Sequence, residues 1–295
     1  MRQSMLTTEQ AQLLVEEKQV LSDLLLQLAE LEIPREALVA LQKAALQLDE
    51  LFLIVVVGEF NAGKSALINA VLGQKVLLEG VTPTTTRVTL IKWGQQVTEQ
   101  VIDEGYAVIT YPLALLNELN IVDSPGTNAI IRRHERLTDE FVPRSDLVLF
   151  TTSADRPLTE SERQFLERIL SWRKKVVFVL NKVDIFEDEA ALQEAREFIL
   201  QHAALTLGEI PALFPVSARL AQRAAAEPDE AERLRLRAAS HLDDLERYIF
   251  TTLDDAARLN LKFSSPLGVA DHLVEQAGEM FQAQSDDLKQ DELTA

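Results

Sequence analysis

Seven consecutive apolar residues, LFLIVVV (51–57), stop at Gly58 and are followed by Glu-Phe-Asn-Ala-Gly-Lys-Ser. A continuous branched run of this kind predicts a strand buried on both faces, which requires a sheet covered on both sides. Apolar helical spacing resumes after Lys64, so the segment reads strand, glycine loop, helix. Glycines let backbone N–H groups turn inward, and the following helix adds the positive end of its dipole at the same place. The GxxxxGKS spacing adds a lysine within reach of β- and γ-phosphates and a serine hydroxyl for Mg²⁺. Gly58, Glu59, Phe60, Asn61, Ala62, Gly63, Lys64, Ser65 and Ala66 are therefore candidate phosphate-binding residues.

Further apolar runs follow at 119–122, 147–151, 176–180 and 213–216, with helical patterns at 64–72, 159–172 and 189–205. Residues 86–92 (TRVTLIK) predict another strand, nearer an edge. This alternation predicts an α/β fold, a mostly parallel sheet flanked by helices. Before it, Leu14, Leu21 and Leu28 recur every seven residues, with Leu24 and Leu31 on the same stripe and Glu17 interrupting it. Pro34 separates this helix from a second one bearing Leu38, Leu41, Ala45 and Leu48. After Ala218 the strands cease. Leu234, Ala238, Leu242, Leu245, Ile249, Leu253 and Ala256 predict one amphipathic stretch, and Pro266 starts a shorter one with Leu267, Ala270, Val274, Ala277 and Phe281. The last dozen residues are polar and expected to fray. The expected organisation is an amino-terminal helical segment (1–50), a nucleotide domain (51–222) and carboxy-terminal segments of the same helical bundle (223–295).

Three more motifs follow the glycine loop in the order a guanine-nucleotide domain requires, each at the end of a predicted strand. Asp123-Ser-Pro-Gly126 offers a carboxylate for a magnesium-bound water and an N–H for the γ-phosphate. Asn181-Lys182-Val183-Asp184 offers a carboxylate that accepts two hydrogen bonds from guanine N1–H and its 2-amino group, a pair adenine lacks. Ser217-Ala218 ends the last predicted strand, where a backbone N–H meets the guanine O6. The threonine cluster Thr82-Pro-Thr84-Thr85-Thr86 lies where a switch threonine binds Mg²⁺ and the γ-phosphate, with Thr85 the first candidate and Thr84 the second. Lys64, Ser65, Thr85 and Asn61 are the expected catalytic set, and Ser65, Thr85 and Asp123 (through water) the Mg²⁺ set.

GEFNAGKSALINAVLG, GVTPTTTR, NIVDSPGTN, PLTESERQFLERI, FVLNKVD and PVSAR together resemble the bacterial dynamin-like GTPases, in particular the cyanobacterial and chloroplast fuzzy-onions-like branch related to mitofusins. The resemblance covers 51–220. It implies GTP-dependent self-assembly, a homodimer across the GTPase domain, and membrane fusion or remodelling. The flanking helices suit the neck bundle of such proteins. No segment here corresponds to their stalk or membrane-contacting tip, so lipid contact is expected from regions outside this chain, which is expected to be an amino-terminal portion.

Three positions depart from related patterns. Thr127 stands where a Ras-like GTPase has its water-orienting Gln, and Phe60 and Asn61 stand where dynamins carry a Gln-Ser pair. Asn61 has two readings: an amide oxygen for K⁺, as in similar potassium-activated P-loops, or a turn residue. Arg132, Arg133 and Arg136 read mainly as a solvated helix face, with a charge donated across a dimer as the second reading. The four histidines are scattered and predict no metal site. The net charge of −18 argues against nucleic acid as a partner. It also weighs against an Era-like role in ribosome or tRNA maturation, the alternative enzyme reading. A nucleotide-gated scaffold with little turnover is the non-catalytic alternative. There are no cysteines, hence no disulfide or thiolate chemistry, and no apolar run approaches the ~20 residues of a membrane span. The chain is expected to be soluble, cytoplasmic or peripheral at a membrane surface.

Overall fold

The computed structural model describes residues 7–31, 33–80, 87–125, 137–252 and 255–294. All six residues of β1 (Phe52–Val57) are buried. Its side chains alternate between the faces of the sheet. Phe52, Ile54 and Val56 pack with Leu67 and Ile68 of α3 (Lys64–Leu72) on one face. Leu53, Val55 and Val57 pack with Phe165 and Ile169 of α4 (Glu160–Ser171) on the other. Each such large side chain contributes roughly 1.5–3 kcal/mol on burial.

The other strands are β2 (Val88–Trp93), β3 (Thr98–Asp103), β4 (Tyr106–Tyr111), β5 (Leu119–Asp123), β6 (Leu147–Ser153), β7 (Val176–Asn181) and β8 (Leu213–Val216). They form one sheet in the order β3-β4-β2-β5-β1-β6-β7-β8. From β5 to β8 every neighbouring pair is parallel, so five carboxyl ends share one edge. β2 runs antiparallel to β5. The expectation of a near-edge strand at 86–92 is corrected here: β4 and β3 extend the sheet beyond β2. Every residue of β3 is exposed, so this hairpin carries no apolar alternation to betray it. Crossovers use α4 and α5 (Glu189–Leu207), and α6 (Ala218–Ala226) follows the last strand.

A separate apolar seam joins α1 (Thr8–Ala29), α2 (Arg35–Gln47) and α9 (Asp255–Thr294) through Leu14, Leu21, Leu41, Leu48, Phe263 and Leu273. Thr7 and Gln10 form a reciprocal capping box at the start of α1. Pro34 immediately precedes α2, where a missing N–H costs nothing. Glu17 lies inside the seam at 7% exposure rather than breaking it.

Several expectations for the carboxy-terminal helices fail. The single amphipathic stretch from 234 divides into α7 (Glu230–Ser240) and α8 (Leu242–Arg247), because His241 is left-handed with φ 53°. Leu234 is accordingly 62% exposed, whereas Leu242, Leu245 and Ile249 join the sheet core although 223–295 had been assigned to the bundle. Pro266 starts no helix; it lies within α9, which continues to Thr294 through the polar tail. The buried stripe of α9 is also shifted. Val269, Ala270, Leu273 and Ala277 face inward, while Leu267, Val274 and Phe281 are 43%, 49% and 47% exposed.

Beside Pro266, polar side chains from the sheet end meet the helix. Lys174 Nζ donates to the Ser265 carbonyl at 2.9 Å and its hydroxyl at 2.6 Å. One turn earlier, Lys262 Nζ pairs with Asp146 at 3.0 Å with both side chains almost fully buried, and donates to the Leu51 carbonyl at 3.0 Å. The same Asp146 oxygen accepts from the Leu53 N–H at 2.8 Å. This buried network fastens α9 to the amino-terminal ends of β1 and β6, opposite the edge that carries the motifs.

Candidate nucleotide site

Both loop glycines are required by close approach. At Gly58 (φ 145°) a Cβ would lie 1.9 Å from the Thr151 carbonyl oxygen. At Gly63 (φ 84°) it would lie 2.3 Å from Asn181 Nδ2. Any side chain would push the loop off the sheet edge. Lys64 is buried and curls back, its ammonium donating to the carbonyls of Gly58 at 3.1 Å and Glu59 at 2.8 Å. Burial pushes its pKa down to about 8, opposed by the charges of Asp123, Glu162 and Glu59. An arriving polyphosphate adds negative charge and favours the ammonium further.

Ser65 Oγ donates to Asp123 Oδ2 at 2.7 Å, bringing together the first helical turn of α3 and the end of β5. Asp123 is fully buried. Beside it the buried Ser124 Oγ has no hydrogen-bond partner among the described residues. A serine hydroxyl and a carboxylate are hard oxygen donors, the chemistry that suits Mg²⁺.

Asn181 joins three elements. Its Nδ2 donates to the Ala62 carbonyl at 2.9 Å, and its Oδ1 accepts from the N–H of Lys182 at 2.8 Å and of Ala218 at 3.1 Å. Lys182 is left-handed, φ 66°, and its ammonium lies 3.4 Å from Asp155. Asp184 is held by the Ser217 hydroxyl on Oδ1 and the Arg219 guanidinium on Oδ2. Ser217 is fully buried and also caps α6, so its geometry is set twice. Arg219 is 69% exposed, and such a pair is weak enough to yield to an incoming base.

A cleft of about 530 Å³ is lined by Phe60, Asn61, Lys64 and Ser65 of the phosphate loop and by Asp184 and Ala218. The 50S ribosome-binding GTPase family matches residues 53–182. A protein of Arabidopsis thaliana named as a probable transmembrane GTPase, FZO-like and chloroplastic, is 41% identical over 256 residues, 78% of this chain and 28% of its own length. A bacterial dynamin-like protein of Nostoc punctiforme is 29% identical over 168 residues, 44% of this chain and 24% of its own length. This chain carries a P-loop GTPase domain and resembles the FZO-like and bacterial dynamin-like GTPases. A chain from an oligomerised bacterial dynamin pair shares the fold of this chain, with a TM-score of 0.61 at 19% identity, over 98% of this chain and 50% of that one. The chain spans about a quarter of the length of the two named relatives. Among its described residues no helix is long and apolar enough to cross a membrane.

Of the described candidates, Phe60, Asn61, Gly63, Lys64, Ser65, Ala66, Asn181, Lys182, Asp184 and Ala218 line the cleft, Asp123 and Ser217 stand behind it on hydrogen bonds to Ser65 and Asp184, and Gly58, Glu59 and Ala62 are outside its lining. Thr82, Thr84, Thr85, Thr86, Gly126, Thr127, Arg132, Arg133, His134 and Arg136 lie outside the described residues. Asn61 is left-handed with φ 64°, a conformation asparagine tolerates, so turn geometry alone accounts for its residue type.

Residues behind and along the cleft were missed by the sequence reasoning. Glu162, 1% exposed, accepts from Thr152 Oγ1 at 2.8 Å and from the Thr159 N–H at 3.1 Å, and approaches the Glu59 N–H at 3.4 Å. Its burial raises its pKa to about 7. Glu59 in turn accepts from the hydroxyls of Thr159 and Ser161. The phosphate loop is thereby tied to the cap of α4. The Thr-x-x-Glu spacing of a capping box was the available signal. For Glu79 and Gln222, which also line the cleft, no local pattern exists.

Proposed function

We propose that this chain binds GTP with Mg²⁺ in the cleft and hydrolyses its γ-phosphate. We further propose that the longer protein couples this cycle to pairing across the nucleotide face and to membrane fusion or remodelling. The observation that carries the reading is Asp184, a carboxylate oriented by buried Ser217 in the same cleft as Lys64 and Ser65. A carboxylate acceptor and a lysine with a serine in one cleft suit a guanine base and a polyphosphate, respectively.

Lys64 leaves the carbonyls of Gly58 and Glu59 to meet the β- and γ-phosphates, while the backbone from Asn61 to Ser65, with Ala66, cradles them. Ser65, Thr85 and Asp123 (through water) hold the metal, and Gly126 meets the γ-phosphate. Bound Mg²⁺ supplies charge neutralisation at the β- and γ-oxygens. Asn181 keeps the phosphate loop and the base loop at fixed separation, the Lys182 stem flanks the base, and the Ala218 N–H faces its O6. Phe60 cannot orient a water by hydrogen bonding, so pairing of two copies completes the site, with K⁺ at the Asn61 amide oxygen as the added positive charge. The membrane role draws support from relatives named as a transmembrane GTPase and as a dynamin pair that senses and tethers membranes.

Calorimetry with GTP and ATP tests the base assignment. GTP binds and ATP does not, and Asp184→Asn moves the preference toward xanthosine triphosphate; equal affinities for GTP and ATP defeat it. Turnover measured in K⁺ and in Na⁺ across a hundredfold range of protein concentration tests the rest. A specific rate that ignores both variables removes pairing and K⁺ from the proposal.

A further inference from the structure

The cleft wall contains a third patch that belongs to neither the phosphate nor the base end. Gln222 lies one helical turn beyond Ala218 on α6, and Ala66 lies in the first turn of α3. Gln222 Nε2 donates to the Ala66 carbonyl at 2.8 Å and to Glu79 Oε1 at 2.8 Å. The same Glu79 oxygen accepts from Asn69 Nδ2 at 2.6 Å. Asn69 is 1% exposed and also accepts from the N–H groups of Val76 at 2.9 Å and Leu77 at 2.8 Å, so it pins the segment that carries Glu79.

Two amide donors therefore engage Oε1 of a carboxylate that lines the cleft, and each carboxylate oxygen has further acceptor capacity. Covalent connectivity dictates what meets this patch. In a nucleoside triphosphate the sugar sits between base and phosphates, and the patch bridges the helix that starts at the base end and the helix that starts at the phosphate end. The sugar offers two hydroxyl donors there. A carboxylate is the side chain best suited to accept from both, the chemistry by which acidic residues read ribose in dinucleotide sites.

We propose that Glu79 reads the ribose hydroxyls of the bound nucleotide and makes this site selective for ribonucleotides, an inference that rests on the nucleotide assignment above. Gln222 and Asn69 are positioning residues: they hold Oε1 and offset its charge near an anionic ligand.

The test measures dissociation constants of GTP, 2′-deoxy-GTP and 2′,3′-dideoxy-GTP for the full chain, for E79A and for E79Q. The wild type prefers GTP over the dideoxy compound by roughly 10- to 100-fold, the worth of hydrogen bonds to a charged acceptor. In E79A that ratio falls to within about twofold of unity, and E79Q, which keeps one acceptor oxygen, lies between. A purely structural Glu79 would weaken all three nucleotides equally and leave the ratio intact, which overturns the proposal. A wild-type ratio of unity overturns it as well. Failure of all three nucleotides to bind wild type overturns the nucleotide assignment itself, and is distinguishable because no ratio then exists.

Discussion

At the cleft, Lys64, Asp123 and Asn181 are buried and each hydrogen-bonds a group from another part of the loop or sheet edge. In the seam of α1, α2 and α9, Glu17 is equally buried, yet its Oε1 has no hydrogen-bond partner among the described residues. Burial acts on both regions in the same sense, against the charged form, and the outcomes differ. Lys64 falls only to about 8 because three carboxylates oppose the desolvation. Glu17 rises to about 7 with nothing to oppose it. The cleft holds its polar groups ready for a ligand, whereas the seam accommodates one by neutralising it. The joint between them is a third case, where Asp146 and Lys262 stay enclosed as a pair.

The largest expected effect is at that joint. Asp146→Ala leaves the Lys262 ammonium buried and costs about 3–5 kcal/mol, read from urea midpoints. Asp146→Ala with Lys262→Met recovers most of the loss, since replacing a buried pair by apolar groups is often neutral. A double variant as unstable as the single one means that the pair is not what Asp146 contributes.

Next comes Lys64→Ala, expected to lower GTP affinity by at least about 100-fold, or about 3 kcal/mol. Its melting temperature stays at or slightly above that of the wild type, because a desolvated ammonium is lost from the empty cleft. A large drop in melting temperature would make Lys64 a structural residue and erase the contrast with Asp146.

The smallest effect sharpens the seam side. Glu17 has a native pKa of about 7, above its ordinary 4.5, so the native state keeps a proton that the unfolded chain releases. The stability from that proton is complete below pH 4.5 and is lost as pH rises to 7 and beyond. Glu17→Gln stays neutral throughout. It should match the wild type at pH 4.5 and exceed it by about 1–3 kcal/mol at pH 8. An identical pH dependence in the two proteins would mean that Glu17 titrates alike in the folded and unfolded chains and that the seam does not hold its proton.

Legibility followed the same division. The strand, loop and helix around Lys64 were readable because each is specified by neighbours in the chain: a branched apolar run, two glycines, helical spacing. The β3–β4 hairpin was not, because the exposed β3 lacks a periodic face. In α9 the periodicity was present and Ala270 and Ala277 were placed correctly, but the rest of the stripe was assigned to the wrong residues. Pro266 was taken as a helix start, and Leu267, Val274 and Phe281 share the same seven-residue spacing as a buried stripe would. Only packing against α1 and α2 decides that Val269 and Leu273 face inward.

The sequence alone determined the fold class, the order of the four motifs and the end of each strand on which a motif sits, since all three follow from local spacing. Tertiary structure decided which distant polar groups meet. Asp146 and Lys262 are 116 positions apart, Gln222 and Glu79 are 143 apart, and Glu162 approaches Glu59 across 103. A periodic pattern states that a face is apolar but not what covers it. A lone polar residue has no pattern at all, so its partner becomes visible only when the sheet brings the two chain segments together.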